Sequence, residues 1–102
     1  MGALSIVDYP RAGCETTEVD LSTDADVVVS ASPCILLGIH VNVGTSAHTV
    51  NLVDGSTTKI VLAASLELGS DKDYHGARFD TDLKVNVDNA ATGKLLFFWL
   101  QQ

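Results

Sequence analysis

Residues Cys34 to Gly55, CILLGIHVNVGTSAHTVNLVDG, decide how this chain is read. Ile35, Leu37, Ile39, Val41 and Val43 alternate with Leu36, Gly38, His40 and Asn42. A period of two sends successive side chains to opposite faces, which is the mark of a half-buried strand. Gly44-Thr45-Ser46-Ala47 then turns the chain. His48 to Val53 reads as a return strand, and Asp54-Gly55 ends it with a hairpin-type dipeptide. The pattern predicts a central hairpin to which the other segments add as further strands.

Upstream, Ser32-Pro33 punctuates the chain, with Pro33 at a strand entrance, where its missing N–H does least harm. The β-branched run Val27-Val28-Val29 favours a strand over a helix capped by Asp24. Ser22-Thr23-Asp24 is turn chemistry. Glu15 to Leu21 sets Thr17, Val19 and Leu21 against Thr16, Glu18 and Asp20, which predicts an exposed or edge strand whose acidic side chains discourage stray pairing. Ala3 to Tyr9 is a short candidate strand ended by Pro10, and Arg11-Ala12-Gly13 is a turn or arm. Residues 1–13 are accordingly expected to form an N-terminal arm or edge strand, and residues 14–102 a single domain.

Downstream, Lys59 to Leu62 continues the strand pattern. AASLEL, Ala63 to Leu68, suits a short helix or a strand, and the flanking turns favour the strand. GSDKDYHG, Gly69 to Gly76, is the most polar stretch and reads as a loop, with Ala77 to Asp80 brief and extended after it. Asp82 turns the chain, and Leu83, Val85 and Val87 then oppose Lys84, Asn86 and Asp88. Asn89 to Gly93 is a turn. The chain closes with KLLFFWLQQ, where Leu95, Phe97 and Trp99 fill one face and Leu96, Phe98 and Leu100 the other. A strand apolar on both faces is covered on both. One side meets the core; the other needs a loop, an arm or another subunit. Short strands, Gly/Asp/Asn/Ser turns and no convincing helix predict an all-β fold, an antiparallel β-sandwich of jelly-roll-like type with about eight strands.

The chain has 102 residues, enough for one domain that folds without a metal or disulfide. Apolar residues make up 46% and charged residues 19%, an ordinary globular balance. No apolar run approaches the roughly 18 residues of a membrane span. The N-terminus MGALSIVDYPRAG lacks a signal-peptide pattern, and Ile6 stands where a myristoylation site wants Ser or Thr, so synthesis in a cytoplasm is expected. The formal net charge is −7 and the six basic residues are scattered, which argues against nucleic acid as a partner. Cys14 and Cys34 lie outside any CxxC pattern and are expected to be free thiols in a reducing compartment.

Specific chemistry is weakly signalled. His40, His48 and His75 lack the paired spacing of a metal-binding jelly roll, and His40 lies on the polar face of its strand. Asp71 to Gly76 resembles the start of a calcium loop, with Asp80 and Asp82 as further carboxylates. It has Asp82 where an EF-hand loop carries Glu, and the flanking helices are missing. There is no GxSxG, no spacing that marks a Ser/His/Asp triad and no phosphate-cradling glycine loop. These readings predict neither an enzyme nor a cofactor.

From Ser32 to Leu100 the chain carries a cadence of strands and turns. It runs SPCILLGIHV, then TVNLVDG, then FDTDLKVNV and a terminal GKLLFFW. This resembles a group of small tailed-bacteriophage virion proteins in which an "LxGIxVxxG…xVxLxDG" hairpin is followed by "FxTGLxVxV" and an apolar last strand. Asp82 stands where that pattern usually has Gly. The resemblance implies a β-sandwich capsid decoration (cement) protein, found on the virion capsid surface. Its implied partners are the major capsid protein and further copies of itself, as a trimer. It brings no catalytic residues. Leu96, Phe98 and Leu100, with Trp99 beside them, are the candidate interface residues. Two other readings stand next to it. One is a neck, tail or head-fibre subunit of the same particle. The other is a small carbohydrate- or ligand-binding module, for which Tyr74 is the aromatic candidate.

Overall fold

The computed structural model describes residues 13–23 and 25–102. The expected strand Ala3–Tyr9, the arm up to Ala12 and the role of Asp24 lie outside the described residues. The described chain forms eight strands: β1 (Glu15–Asp20), β2 (Asp26–Ser30), β3 (Cys34–Val43), β4 (Val50–Asp54), β5 (Thr57–Leu62), β6 (Asp71–Phe79), β7 (Leu83–Asn86) and β8 (Lys94–Gln101). They make two four-stranded sheets, the first in the order β1-β8-β3-β6 and the second in the order β2-β7-β4-β5. No helix occurs among the described residues.

The pairing is nested. β1 pairs with β8, β2 with β7, β3 with β6 and β4 with β5, all antiparallel. β3 with β8 and β4 with β7 complete the sheets. Such nesting is one long hairpin rolled over itself, the jelly-roll arrangement of a β-sandwich. Its tip is the two-residue turn Gly55-Ser56 between β4 and β5, where Gly55 has φ +62°. That conformation favours glycine, so the Asp54-Gly55 dipeptide does mark a hairpin.

The hairpin predicted between β3 and β4 is not formed. β3 lies in the first sheet and β4 in the second, so residues 44–49 cross between layers. The crossing segment is held by Ala63–Leu68, which is neither strand nor helix. Thr45 N–H donates to Leu66 O, Ser65 N–H to Ser46 O and Leu66 N–H to Thr45 Oγ1. Leu66 is buried and Ser65 has φ +56°, so this segment closes one end of the core as irregular backbone.

The predicted phase of β3 is also corrected. The register slips between Leu36 and Gly38, so that two residues of β3 stand opposite one of β8. Such a bulge shifts every later side chain by one position. Cys34, Leu36, Ile39 and Val41 therefore face the core, while Ile35 and Leu37 belong to a separate apolar cluster. On the facing strand β6, the register passes from Ala77 opposite Leu36 to Asp73 opposite Gly38. Tyr74, His75 and Gly76 fill that gap, with φ +52° at His75 and +87° at Gly76.

The predicted loop Gly69–Gly76 is mostly strand, since β6 begins at Asp71. As an edge strand it has few buried positions, and its composition follows solvent rather than a sheet interior.

The core lies between the layers. From the first sheet it takes Val19, Leu36, Ile39, Val41, Phe79, Leu95 and Phe97, and from the second Val50, Leu52, Leu62, Leu83 and Val85. The alternations predicted for β1, β7 and β8 hold: Val19 and Leu21, then Leu83, Val85 and Val87, then Leu95 and Phe97 are all buried.

Candidate functional site

The candidate interface residues sit on the outward side of the first sheet. β8 is an interior strand there, flanked by β1 and β3. Its alternation sends Leu95, Phe97 and Trp99 to the core and Leu96, Phe98 and Leu100 outward. The bulge in β3 brings Ile35 and Leu37 to the same side, and Cys14 joins them just before β1. In register, Leu100 lies opposite Ile35, Phe98 opposite Gly38 and Leu96 opposite His40. The result is a second apolar cluster of Cys14, Ile35, Leu37, Leu96, Phe98 and Leu100, separate from the sandwich core.

Its rim is polar. His40 Nδ1 pairs with Asp71 across β3 and β6. Asn42 Nδ2 donates to Glu18 Oε2 at 2.9 Å. Arg78, opposite Ile35, reaches Asp80 at 3.3 Å. An apolar centre within a charged margin is how protein contact surfaces are commonly built.

Trp99, grouped with this surface from the sequence, is placed on the other side of β8. It packs against the main core, and its indole N–H donates to Thr17 Oγ1 at 3.0 Å. Ile35, Leu37 and Cys14 are members that the sequence reading did not collect. Strict alternation assigned Leu37 to the same side as Ile39, and only a bulge separates them. Gly38 followed by a polar His40 is the one available signal, because glycine inside a strand often marks a bulge.

Elsewhere the structure brings together residues that sequence spacing did not. Ser46 Oγ and His48 Nδ1 share a hydrogen bond of 2.9 Å, and His48 Nε2 lies 3.9 Å from Asp88 Oδ1. His48 borders a shallow cleft of about 490 Å³ with Thr49, Asn51, Asn86 and Asp88 in its wall. Ser46 Oγ also accepts the Thr92 N–H at 3.0 Å, and Ser46 N–H donates to Thr92 O at 3.1 Å. The His48–Asp88 separation exceeds hydrogen-bond distance. With its hydroxyl held by backbone, Ser46 fastens the crossing segment to the turn before β8.

The stretch that resembled a calcium loop is strand and bulge. Asp71 is engaged with His40, and Asp73 Oδ1 accepts the His75 N–H at 3.0 Å. Among the described residues no three His, Cys, Asp or Glu side chains gather as a metal site. Tyr74 packs against the core, and burial raises its phenol pKa above the ordinary value. Its side chain is partly buried there, with part of it still facing solvent. Among the described residues no helix is long and apolar enough to cross a membrane.

Where the resembling pattern has Gly, Asp82 has a specific task. Its Oδ1 accepts the Gly55 N–H at 2.9 Å, and its Oδ2 lies 3.7 Å from Lys84 Nζ. Comparison with protein-family models, with curated proteins and with solved structures found no match for this chain.

Proposed function

We propose that the chain is a structural virion protein, a bacteriophage capsid decoration (cement) protein that binds the head shell and stabilises it, working as a homotrimer. The observation that supports this most is the first sheet, apolar on both sides. Phe97 and Leu95 serve the sandwich core, while Phe98, buried, and Leu96 and Leu100, partly exposed, belong to a second apolar cluster on the other side of the sheet. A protein whose task is to hold others together needs apolar groups outside its core and needs no reactive group. The nested pairing adds fold-level support by analogy, since jelly rolls recur in viral capsid proteins, although they also serve lectins and enzymes. The cadence from Ser32 to Leu100 supplies the phage context.

In this reading, subunits meet one another or the major capsid protein on the side of Leu96, Phe98 and Leu100, with the N-terminal arm taking part. The net charge of −7 keeps the exposed surface from competing for packaged nucleic acid. The test is the particle. Cryo-EM of the head of the phage that encodes the chain is expected to show many copies over the shell at symmetry axes. Copies confined to one vertex would move the protein to the neck, tail or head fibre. Absence from the particle would end the virion reading.

A further inference from the structure

We propose that Asp54-Gly55 is a site of spontaneous aspartate isomerisation through a succinimide, and that Asp82 holds it shut in the folded chain. The inference does not rest on the virion reading. Asp54 is the only Asp or Asn in the sequence that is followed by Gly. Glycine has no Cβ to shield its backbone nitrogen, so this dipeptide is the one most open to ring closure. The reaction needs only water. The Gly55 nitrogen loses its proton and bonds to Asp54 Cγ, and one carboxyl oxygen leaves as water. Water then adds back to the five-membered ring. Addition at Cγ restores aspartate. Addition at the Asp54 main-chain carbonyl carbon leaves isoaspartate, with the chain running through the side chain and the mass unchanged.

The fold opposes each requirement of that attack. Asp54 has to swing its carboxyl over the Gly55 nitrogen, yet its two oxygens are tied to the opposite turn by the Asp80 N–H at 2.9 Å and the Thr81 N–H at 2.8 Å. Cγ is the better electrophile in the protonated acid, yet these N–H groups, that of Asp80 foremost, hold the carboxyl below its ordinary pKa and keep it ionised. The Gly55 nitrogen has to give up its proton, yet that N–H is donated to Asp82 Oδ1 at 2.9 Å. A carboxylate so close also opposes the negative charge that develops on the nitrogen. Lys84 Nζ steadies the other end of Gly55 by donating to its carbonyl oxygen at 2.7 Å, and lies 3.7 Å from Asp82 Oδ2. Asp82 is the restraint that acts on the nucleophile itself, which makes it the guard. Isomerisation adds one carbon to the main chain within the register pair Asp54–Thr57 and takes away the side-chain carboxylate around which residues 80–82 turn. The damage therefore falls on the tip of the rolled hairpin.

The experiment incubates the full chain at neutral pH and follows isoaspartate at position 54 by peptide mapping with electron-transfer fragmentation. Wild type unfolded in urea is expected to isomerise steadily and native wild type hardly at all. Asp82→Ala, still cooperatively folded by circular dichroism, is expected to isomerise several-fold faster than native wild type. Wild type brought to the stability of that variant by sub-denaturing urea is expected to stay slow. Equal rates for Asp82→Ala and native wild type overturn the proposal. Equal acceleration in the stability-matched wild type overturns it too, and makes global unfolding the route. A second measurement needs no variant and decides the matter if Asp82→Ala does not fold. The Gly55 amide of the wild type is expected to exchange its hydrogen far more slowly than the same amide in a peptide of residues 50–57. Exchange at the peptide's rate overturns the proposal.

Discussion

Asp54 and Asp82 each hold the turn that carries the other. Asp54 Oδ1 accepts the Thr81 N–H at 2.8 Å and, at 3.4 Å, that of Asp82, while its Oδ2 accepts the Asp80 N–H at 2.9 Å. Asp82 Oδ1 in return accepts the Gly55 N–H at 2.9 Å. Lys84 Nζ joins the pair by donating to Gly55 O at 2.7 Å. The tip of the rolled hairpin is thereby tied to the turn from the first sheet into the second. Replacing Asp54 with Ala strands three backbone donors, and urea unfolding at pH 7 should show a loss of about 2 kcal/mol.

The same carboxylate predicts a pH dependence. The Asp80 N–H chiefly, opposed by burial and aided by the Thr81 and Asp82 N–H groups and by Lys59, holds Asp54 below the ordinary carboxylate range. A depressed folded-state pKa gives stability that is present above the unfolded value, near ~3.9, and is lost as pH falls through the folded value. Thermal melts of the wild type should therefore weaken below about pH 4. Asp54→Asn should start less stable at neutral pH and fall less steeply across that window. Parallel acid limbs would show that Asp54 does not contribute to it.

Gly93 is a second pressure point. It has φ +120°, and a Cβ added there would lie 2.9 Å from Thr45 Cα and 3.0 Å from Gly44 O, both backbone atoms. Gly93→Ala should cost about 3 kcal/mol, from strain and overpacking together. Gly69, at φ +83° with nothing near its added Cβ, separates the two effects. Gly69→Ala should cost about 1–2 kcal/mol from backbone conformation alone. Equal losses in chemical denaturation would refute the close approach at Gly93.

Much of this fold was legible because buried strands leave a periodic trace. Val19 and Leu21, Leu83 to Val87 and Leu95 to Leu100 read correctly, since one or both of their faces are fixed by burial. What failed has physical causes. β6 is exposed along an edge, so Asp71 to Asp73 carry solvent chemistry although they pair with β3. The bulge at Leu37-Gly38 leaves the alternation of residue types nearly intact while reversing its meaning. The crossing after Val43 resembles a turn because both are short and polar. Sequence pattern does not say whether the next strand lies beside the last one or across the core. For the candidate surface, β8 announced itself through its two apolar faces, whereas Ile35 and Leu37 were hidden by the bulge.

The indole of Trp99 gives a local test of the inner side of β8. Its N–H donates to Thr17 Oγ1 at 3.0 Å, between paired strands. Thr17→Val keeps the shape and removes the acceptor, leaving a half-buried donor unpaired. A loss of about 1–2 kcal/mol is expected, with recovery in Thr17→Ser. If Thr17→Val unfolds like the wild type in a urea titration followed by Trp99 fluorescence, the bond has no energetic role.

The two thiols should be chemically distinct. Both are free, and burial raises both pKa values, so little thiolate exists near neutrality. Cys34 is fully buried whereas Cys14 is partly accessible. In the native protein an aromatic disulfide reagent should modify Cys14 slowly and Cys34 only on unfolding. Rapid reaction of both, or formation of a Cys14–Cys34 disulfide in air, would contradict the packing.

Adjacent residues of β8 should separate folding from assembly. Phe97 is fully buried in the sandwich core, so Phe97→Ala should cost about 3–5 kcal/mol and reduce the folded population at any concentration. Leu96 and Leu100 belong to the outer cluster and are only partly buried. Leu96→Asp and Leu100→Asp place a charge at the margin of that cluster, where water still reaches it, and should leave a cooperative melt. If the proposed trimer forms there, light scattering should show the native mass of these variants falling to that of one chain, with capsid binding lost in parallel. Variants that keep both the oligomeric mass and the binding would move the contact off this face. A drop in melting temperature as large as that of Phe97→Ala would instead mean that the outer cluster serves the stability of the single chain. Because Phe97 and Leu96 differ by one position on the same strand, the comparison holds local backbone and sequence context nearly constant and isolates the face as the variable.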